Sequence, residues 1–233
     1  MTTILRTEGV CVRYGSVKAL TDVAIDVCEG QVHGVIGPNG AGKSTLMNVL
    51  SGAQRPSHGR VSYQGQDITR RTVRWRRRHG ISRSFQRTSI FAAMTVREQL
   101  ALTSRDDIAH VRVVADAFGL SGLLDRRADA ISYGDQRRVD IALAVVGQSR
   151  LLLLDEPAAG LTAQETADLF GHVTGLVREE GLAALIVEHD VEAVFGWCDM
   201  VTVLDLGTVL TSDLPAAVRT DDRVIAAYLG TAA

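Results

Sequence analysis

Gly37-Pro38-Asn39-Gly40-Ala41-Gly42-Lys43-Ser44-Thr45 fits the pattern G-x-x-x-x-G-K-[ST] at every position. Val32, Val35 and Ile36 ahead of it read as a buried strand, and residues 43–50 read as the helix that opens behind it. Glycines at 37, 40 and 42 admit backbone conformations that a β-carbon would hinder, so successive N–H groups can turn inward around phosphate oxygens at a helix N-terminus. In such a loop Lys43 reaches the β- and γ-phosphates and Ser44 ligates Mg²⁺. An ordinary glycine-rich turn needs no Lys-Ser after its last glycine. The stretch therefore reads as a nucleotide-phosphate site that takes Mg²⁺.

A second strong signal lies far downstream, at Leu151-Leu152-Leu153-Leu154-Asp155-Glu156-Pro157. Four consecutive apolar residues describe a strand covered on both faces, as in the middle of a parallel sheet. Carboxylates at its C-terminal end stand where open α/β sheets bind ligands. Beside a phosphate loop, Asp155 is placed to hold Mg²⁺ through water, and Glu156 to accept a proton from an attacking water. Residues 184–187 form another buried strand that ends at Glu188-His189-Asp190. A histidine at that tip can donate a hydrogen bond to a γ-phosphate, although a lone histidine by itself reads as packing.

The remaining composition limits the alternatives. A chain of 233 residues, 46% of them hydrophobic, can bury a large core as one unit with a subdomain. A formal net charge of −2 gives no global drive toward nucleic acid, and no nucleic-acid partner is expected. Cys11, Cys28 and Cys198 show neither metal-ligand spacing nor a disulfide framework, which suits a reducing, cytosolic compartment. No N-terminal signal pattern is present, and the apolar runs are too short to cross a bilayer. Any membrane role is expected to come through a partner.

Residues 4–12 and 22–27 alternate apolar and polar, with Val23, Ile25 and Val27 on one face, and predict antiparallel strands. Tyr14, between them, reads as packing, though its ring offers a face to a flat base. Thr69 is expected to cap a helix carrying Arg70, Arg71, Arg74, Arg76, Arg77 and Arg78, a solvated face with Val73 and Trp75 packed inward. Residues 81–86 read as a strand ending at the amide of Gln86. Residues 89–148 carry no β pattern and read as a helical insertion. Ser132 caps its last helix, and with Gly134 forms a small anion site at that helix N-terminus. Thr162 and Glu165 make a capping box for a helix that runs to about Glu180 and stops at Gly181. Strands near 201–204 and 209–211 and a short helix over 223–228 close the chain.

The phosphate loop, Gln86, Ser132-Tyr133-Gly134-Asp135-Gln136, Leu154-Asp155-Glu156-Pro157 and His189 occur in the order found in ABC-type ATPases, which the chain resembles over nearly its whole length. The resemblance implies an α/β P-loop NTPase fold with a RecA-like core, an antiparallel β-subdomain and an inserted α-helical subdomain. Residues 1–88 and 149–233 would form the core with the β-subdomain, and residues 89–148 the helical subdomain. It casts Tyr14 as the adenine-stacking aromatic, Gln86 as the loop glutamine that senses Mg²⁺, γ-phosphate and the membrane partner, Glu156 as catalytic base, and His189 as the switch histidine. It assigns Ser132 and Gly134 to the γ-phosphate of an opposite subunit.

Arg83-Ser84-Phe85-Gln86, Tyr133-Gly134-Asp135-Gln136-Arg137-Arg138, Asp155-Glu156-Pro157-Ala158-Ala159-Gly160-Leu161, Glu188-His189-Asp190 and Ala227-Tyr228-Leu229-Gly230 resemble the branched-chain amino acid importer ATPases of the LivG type. Urea and amide importers have near-identical subunits. The chain departs from the general signature Leu-Ser-Gly-Gly-Gln at Ile131, Tyr133 and Asp135, and its helical insertion is shorter than is usual in that branch. The resemblance implies transmembrane permease subunits as partners, a second ATPase subunit (self or paralogue), a solute-binding protein indirectly, and a peripheral place on the cytoplasmic face of the membrane. The alternatives are an exporter or envelope-lipid ATPase, a soluble protein that acts on nucleic acid or ribosomes, and a non-hydrolysing regulatory subunit, against which Glu156 and His189 argue.

Overall fold

The computed structural model describes residues 2–84, 89–104, 107–147 and 149–229. In chain order its strands are β1 (Thr3–Tyr14), β2 (Val17–Cys28), β3 (Val32–Ile36), β4 (His58–Tyr63), β5 (Gln66–Asp67), β6 (Ile81–Arg83), β7 (Leu151–Asp155), β8 (Ala183–Val187), β9 (Met200–Asp205) and β10 (Thr208–Asp213). They form two sheets. An antiparallel sheet has the order β2-β1-β4-β5, and a six-stranded sheet has the order β10-β9-β3-β8-β7-β6. The second is parallel from β9 through β6, with β10 antiparallel on β9.

The patterning explains this division. On β2, Val23, Ile25 and Val27 are buried while Asp22, Ala24 and Asp26 are exposed, so one face packs and the other meets water. On β7, Leu151 and Leu153 join Val35, Leu46, Leu50, Leu185 and Val187 in one core, which also takes in the apolar face of the antiparallel sheet. Leu152 and Leu154 point the other way, into a second core with Ile186, Phe118, Val139, Phe170 and Val194. The continuous leucine run is thus buried on both sides, as a central parallel strand requires.

The helices are α1 (Lys43–Ser51), α2 (Val73–Arg78), α3 (Val96–Ser104), α4 (Ile108–Ala117), α5 (Tyr133–Val145), α6 (Ala163–Glu180), α7 (Val191–Trp197), α8 (Pro215–Arg219) and α9 (Asp222–Leu229). Helix α6 opens on the Thr162–Glu165 capping box and stops at Gly181, whose φ of 66° is left-handed. Ser132 caps α5 by accepting the Asp135 N–H. Helices α7 and α8 were not expected; α7 is short, and its local signals are Asp190, which caps it by accepting the Ala193 N–H, and Glu192 in its first turn.

The arginine-rich stretch differs from expectation. Thr72, not Thr69, caps α2, because the Thr69 hydroxyl is engaged with Val61 and its N–H donates to Asp67. Val73 is 49% exposed, whereas Arg76 is 1% exposed. The Arg76 guanidinium donates to the carbonyls of Val49, Leu50 and Ile68 at 2.9, 2.6 and 2.7 Å. Two of these belong to the last turn of α1, where carbonyls lack intrahelical partners, and a fork of fixed donors satisfies several at once. Burial lowers the guanidinium pKa to about 10. Arg77 donates likewise to the Ala144 and Leu143 carbonyls of α5 at 3.0 and 3.3 Å, so two arginines of the run are structural brackets and the run is not a uniform solvated face.

Strand order brings three chain segments to one sheet edge. Strands β3, β8 and β7 are parallel neighbours, so the stretches that follow Ile36, Val187 and Leu154 emerge side by side.

His33, on β3, is 1% exposed and lies 2.7 Å from the Thr202 hydroxyl. Burial pushes its imidazole down to about 4. The unfolded chain takes up a proton near pH 6.5 that the folded chain refuses until about pH 4, so stability falls as pH drops through that window. Between about pH 7 and pH 5 this group alone should remove about 2 kcal/mol. Thermal unfolding across that range should show the loss in the native chain and a shallower slope in His33→Gln; equal slopes would contradict it.

Candidate active site

The loop between β3 and α1 is held by backbone on both sides. At Gly37, with φ at 153°, a β-carbon would stand 2.1 Å from the Leu204 carbonyl oxygen. At Gly42, with φ at 104°, it would stand 2.7 Å from the Ala19 carbonyl oxygen. The C-terminal end of β9 and the start of β2 thus press on the loop where no side chain fits. Gly42 is also the N-cap of α1, with no side-chain cap and no acidic residue in the first turn. The first N–H groups of α1 are left to a ligand, and the helix dipole favours an anion there.

Lys43 is buried, and its Nζ donates to the Gly37 and Pro38 carbonyls at 2.5 and 3.0 Å. Desolvation lowers its pKa, while Glu156 and Asp155 oppose that shift, so the cation sits in the field of both carboxylates. Ser44, Asn39 and Gly40 are exposed, Pro38 and Thr45 are partly exposed, and Ala41 is buried in the core.

Asp155 ends β7, and its Oδ2 is paired with Arg83 at 2.8 Å, both side chains nearly buried. Arg83 also donates to Asn48 and Ser51 of α1 at 2.7 and 3.1 Å, which ties the carboxylate to the helix behind the loop. Glu156 follows with φ at +47°, a left-handed conformation that costs a non-glycine residue about 1–3 kcal/mol. Its Oε1 lies 2.7 Å from His189 Nε2. Glu188 is buried and accepts the N–H groups of Ala158 and His189 at 2.8 and 3.2 Å. Burial raises the Glu188 pKa.

The structure therefore gathers Lys43, Asp155, Glu156 and His189 at one edge. Tyr14 stands 48% exposed at the end of β1, paired with Val17. Along β2, Val17 is two residues, or about 7 Å of strand, from the Ala19 carbonyl that presses on Gly42. Of the two residues expected to form an anion site at the start of α5, Ser132 is exposed and Gly134 is buried. A β-carbon on Gly134 would meet the Glu165 carboxylate at 2.4 Å, because the capping box of α6 packs on α5. Among the described residues no hydrogen bond or ion pair joins Ser132 or Gly134 to the phosphate loop. Gln86 lies outside the described residues.

Sequence reading gave no role to Arg83, Asn48, Glu188 or Arg137. Arg137 has 0% exposure, and its donors meet the backbone of residues 155–157. Its spacing from Asp140, an i, i+3 pair of opposite charges beside the buried Val139, was the signal available.

Among the described residues no three His, Cys, Asp or Glu side chains converge as a metal cage. A serine hydroxyl and one carboxylate are hard oxygen donors, and they fit a Mg²⁺ ion that keeps waters and substrate phosphates as its other ligands. A uncapped helix start, a buried lysine, a carboxylate beside a histidine and this donor pair are equipment for phosphoryl transfer to water.

Comparison with known proteins agrees. A family model described as ABC transporter matches residues 20–159, and one described as branched-chain amino acid ATP-binding cassette transporter matches residues 208–233. The chain is 33% identical over 251 residues to the high-affinity branched-chain amino acid transport ATP-binding protein LivG of Salmonella typhimurium, with 98% of each chain covered. It is 34% identical over 235 residues to the lipopolysaccharide export system ATP-binding protein LptB of Haemophilus influenzae, with 97% of each covered. The solved ADP conformation of MJ1267, an ATP-binding cassette of an ABC transporter, matches with a TM-score of 0.90 at 31% identity, over 99% of this chain and 100% of that one. On this family match and on relatives at 33% identity over nearly the whole chain, the chain belongs to the ABC transporter ATP-binding proteins and is a nucleotide-binding transport ATPase subunit of the P-loop fold.

Proposed function

We propose that this ATPase subunit powers an importer for branched-chain or other small amino acids, amides or urea. The 2.7 Å pairing of Glu156 with His189, beside a buried Lys43, is the observation that carries the hydrolytic assignment. The matched segment 208–233 supports the solute class. Residues 1–88 and 149–233 act as the core with its β-subdomain, and residues 89–148 as the helical arm that bears Ser132 and Gly134.

In this mechanism the triphosphate lies across the loop 37–42, and Lys43 exchanges its two carbonyl contacts for phosphate oxygens. Tyr14 offers its exposed ring to the adenine. Ser44 and Asp155, with Gln86, would hold Mg²⁺, which supplies charge neutralisation when bound. Glu156 accepts the proton of the attacking water, and His189 orients that carboxylate and can donate to the γ-phosphate. Positioning and charge stabilisation do most of the work, because the transferred phosphoryl needs little covalent help. Ser132 and the α5 N-terminus of a second ATPase subunit close over the γ-phosphate.

No helix among the described residues is long and apolar enough to cross a membrane, and in this reading closure of the two ATPase subunits acts on permease subunits at the cytoplasmic face. Val73, Phe91 and Leu102, at 49, 65 and 65% exposure, line one groove together with Ser84 and Ser89, the residues on either side of 85–88. An apolar groove of this kind suits a cytosolic segment of the permease. A solute-binding protein would deliver the cargo on the far side. The similarity to LptB supports a second reading, export of an envelope lipid. Vesicles reconstituted with the co-encoded permease separate the two: uptake of a labelled amino acid or amide toward the ATPase side supports import, and lipid extraction supports export.

Lys43→Ala should leave the fold intact and weaken ATP binding by about 100-fold or more, since the loop loses its cation. Nucleotide titration of the folded variant checks this, and unchanged affinity would contradict the site. Glu156→Gln should reduce turnover by about 10² to 10⁴ while keeping ATP affinity. Sizing that variant with ATP and with ADP, alone and with its paralogue or permease, should show association with ATP only; no ATP-dependent association in any of these mixtures would contradict the closed pair.

A further inference from the structure

We propose that the buried pair Arg137–Asp140 is the positioning device for Glu156, fixing its backbone to helix α5 and to the segment that begins at Ser89. The proposal rests on Glu156 as the base.

Arg137 reaches three consecutive carbonyls from α5: Nε donates to Pro157 at 2.8 Å, and Nη2 donates to Glu156 at 3.0 Å and to Asp155 at 3.4 Å. Nη1 donates to Asp140 Oδ2 at 3.2 Å. The other Asp140 oxygen accepts the Ser89 N–H at 2.9 Å. One ion pair therefore joins α5, the turn that contains Glu156, and the first described residue after Gln86.

The chemistry argues for positioning over bulk stability. Both side chains are out of water, Arg137 at 0% and Asp140 at 7% exposure. Replacing such a pair by apolar groups of similar volume is often neutral or stabilising, so a buried ion pair is weak evidence for a stabilising role. A planar fork with fixed donor directions instead specifies where three carbonyls lie. The middle one belongs to the residue at φ +47°, whose N–H is held from the opposite side by the Val187 carbonyl at 2.9 Å. Glu156 is thus clamped through its own peptide groups between β8 and α5. A second tie runs parallel, from the Tyr133 hydroxyl to the Ala159 carbonyl at 3.3 Å. Since Ser132 caps α5, a shift of that helix end on a neighbouring subunit's nucleotide reaches this chain's own Glu156 through Arg137.

Two substitutions test this in the full chain assembled with its permease. Arg137→Met removes the fork at similar volume. Asp140→Asn keeps an acceptor for Ser89 but removes the charge that holds Arg137. Both should unfold cooperatively, bind ATP within about threefold of the native affinity and keep KM, while kcat falls by about tenfold or more; Arg137→Lys should recover part of the loss. Should Arg137→Met fail to fold, Asp140→Asn decides alone. A kcat within about twofold of native in the folded variants, or a loss of kcat that follows a loss of ATP affinity, would overturn the proposal. Glu156→Gln in the same assay separates the two assignments: full turnover there removes the base itself, whereas loss there with unchanged Arg137 and Asp140 variants removes only the positioning role.

Discussion

Backbone crowding around the loop at residues 37–42 is the constraint on which the rest depends. With the Leu204 carbonyl on one side and the Ala19 carbonyl on the other, the loop has room only for glycine at positions 37 and 42. That crowding joins the two sheets, since Ala19 belongs to the antiparallel one and Leu204 to the parallel one. It leaves the first turn of α1 without a side-chain cap and turns Lys43 back into the loop. The uncapped helix start on which the proposed phosphate site depends follows from the absence of a side chain at these two positions.

Arginine is used repeatedly to hold this edge. Arg76 brackets the end of α1, Arg83 ties α1 to Asp155, and Arg137 ties α5 to the three residues that begin with Asp155. Each meets backbone carbonyls or a carboxylate with little access to water, where a rigid fork with several donors can satisfy groups that one lysine could not. The chemical residues are thereby fastened to helices at the back of the sheet.

What the sequence made legible was local. The phosphate loop, the all-leucine strand and the Thr162–Glu165 capping box each state their geometry within a few residues, and each has the form expected of it. Long-range partners left little local trace. Arg76 stood in a run of arginines that read as solvated, because its acceptors at Val49 and Leu50 lie more than twenty residues earlier. Nothing near Gly134, read with Ser132 as a small anion site, announced that Glu165 would pack against it. The short α7 and α8 gave too few turns for a periodic pattern to stand out.

The most direct measurement is a structure of the Glu156→Gln protein, alone or with its paralogue, bound to ATP and Mg²⁺. The expected result has the β- and γ-phosphates on the N–H groups of α1 with Lys43 Nζ beside them. Ser132 of the second subunit should lie within hydrogen-bond distance of the γ-phosphate. Triphosphate bound away from the loop, or an α5 N-terminus facing solvent in the closed pair, would contradict it.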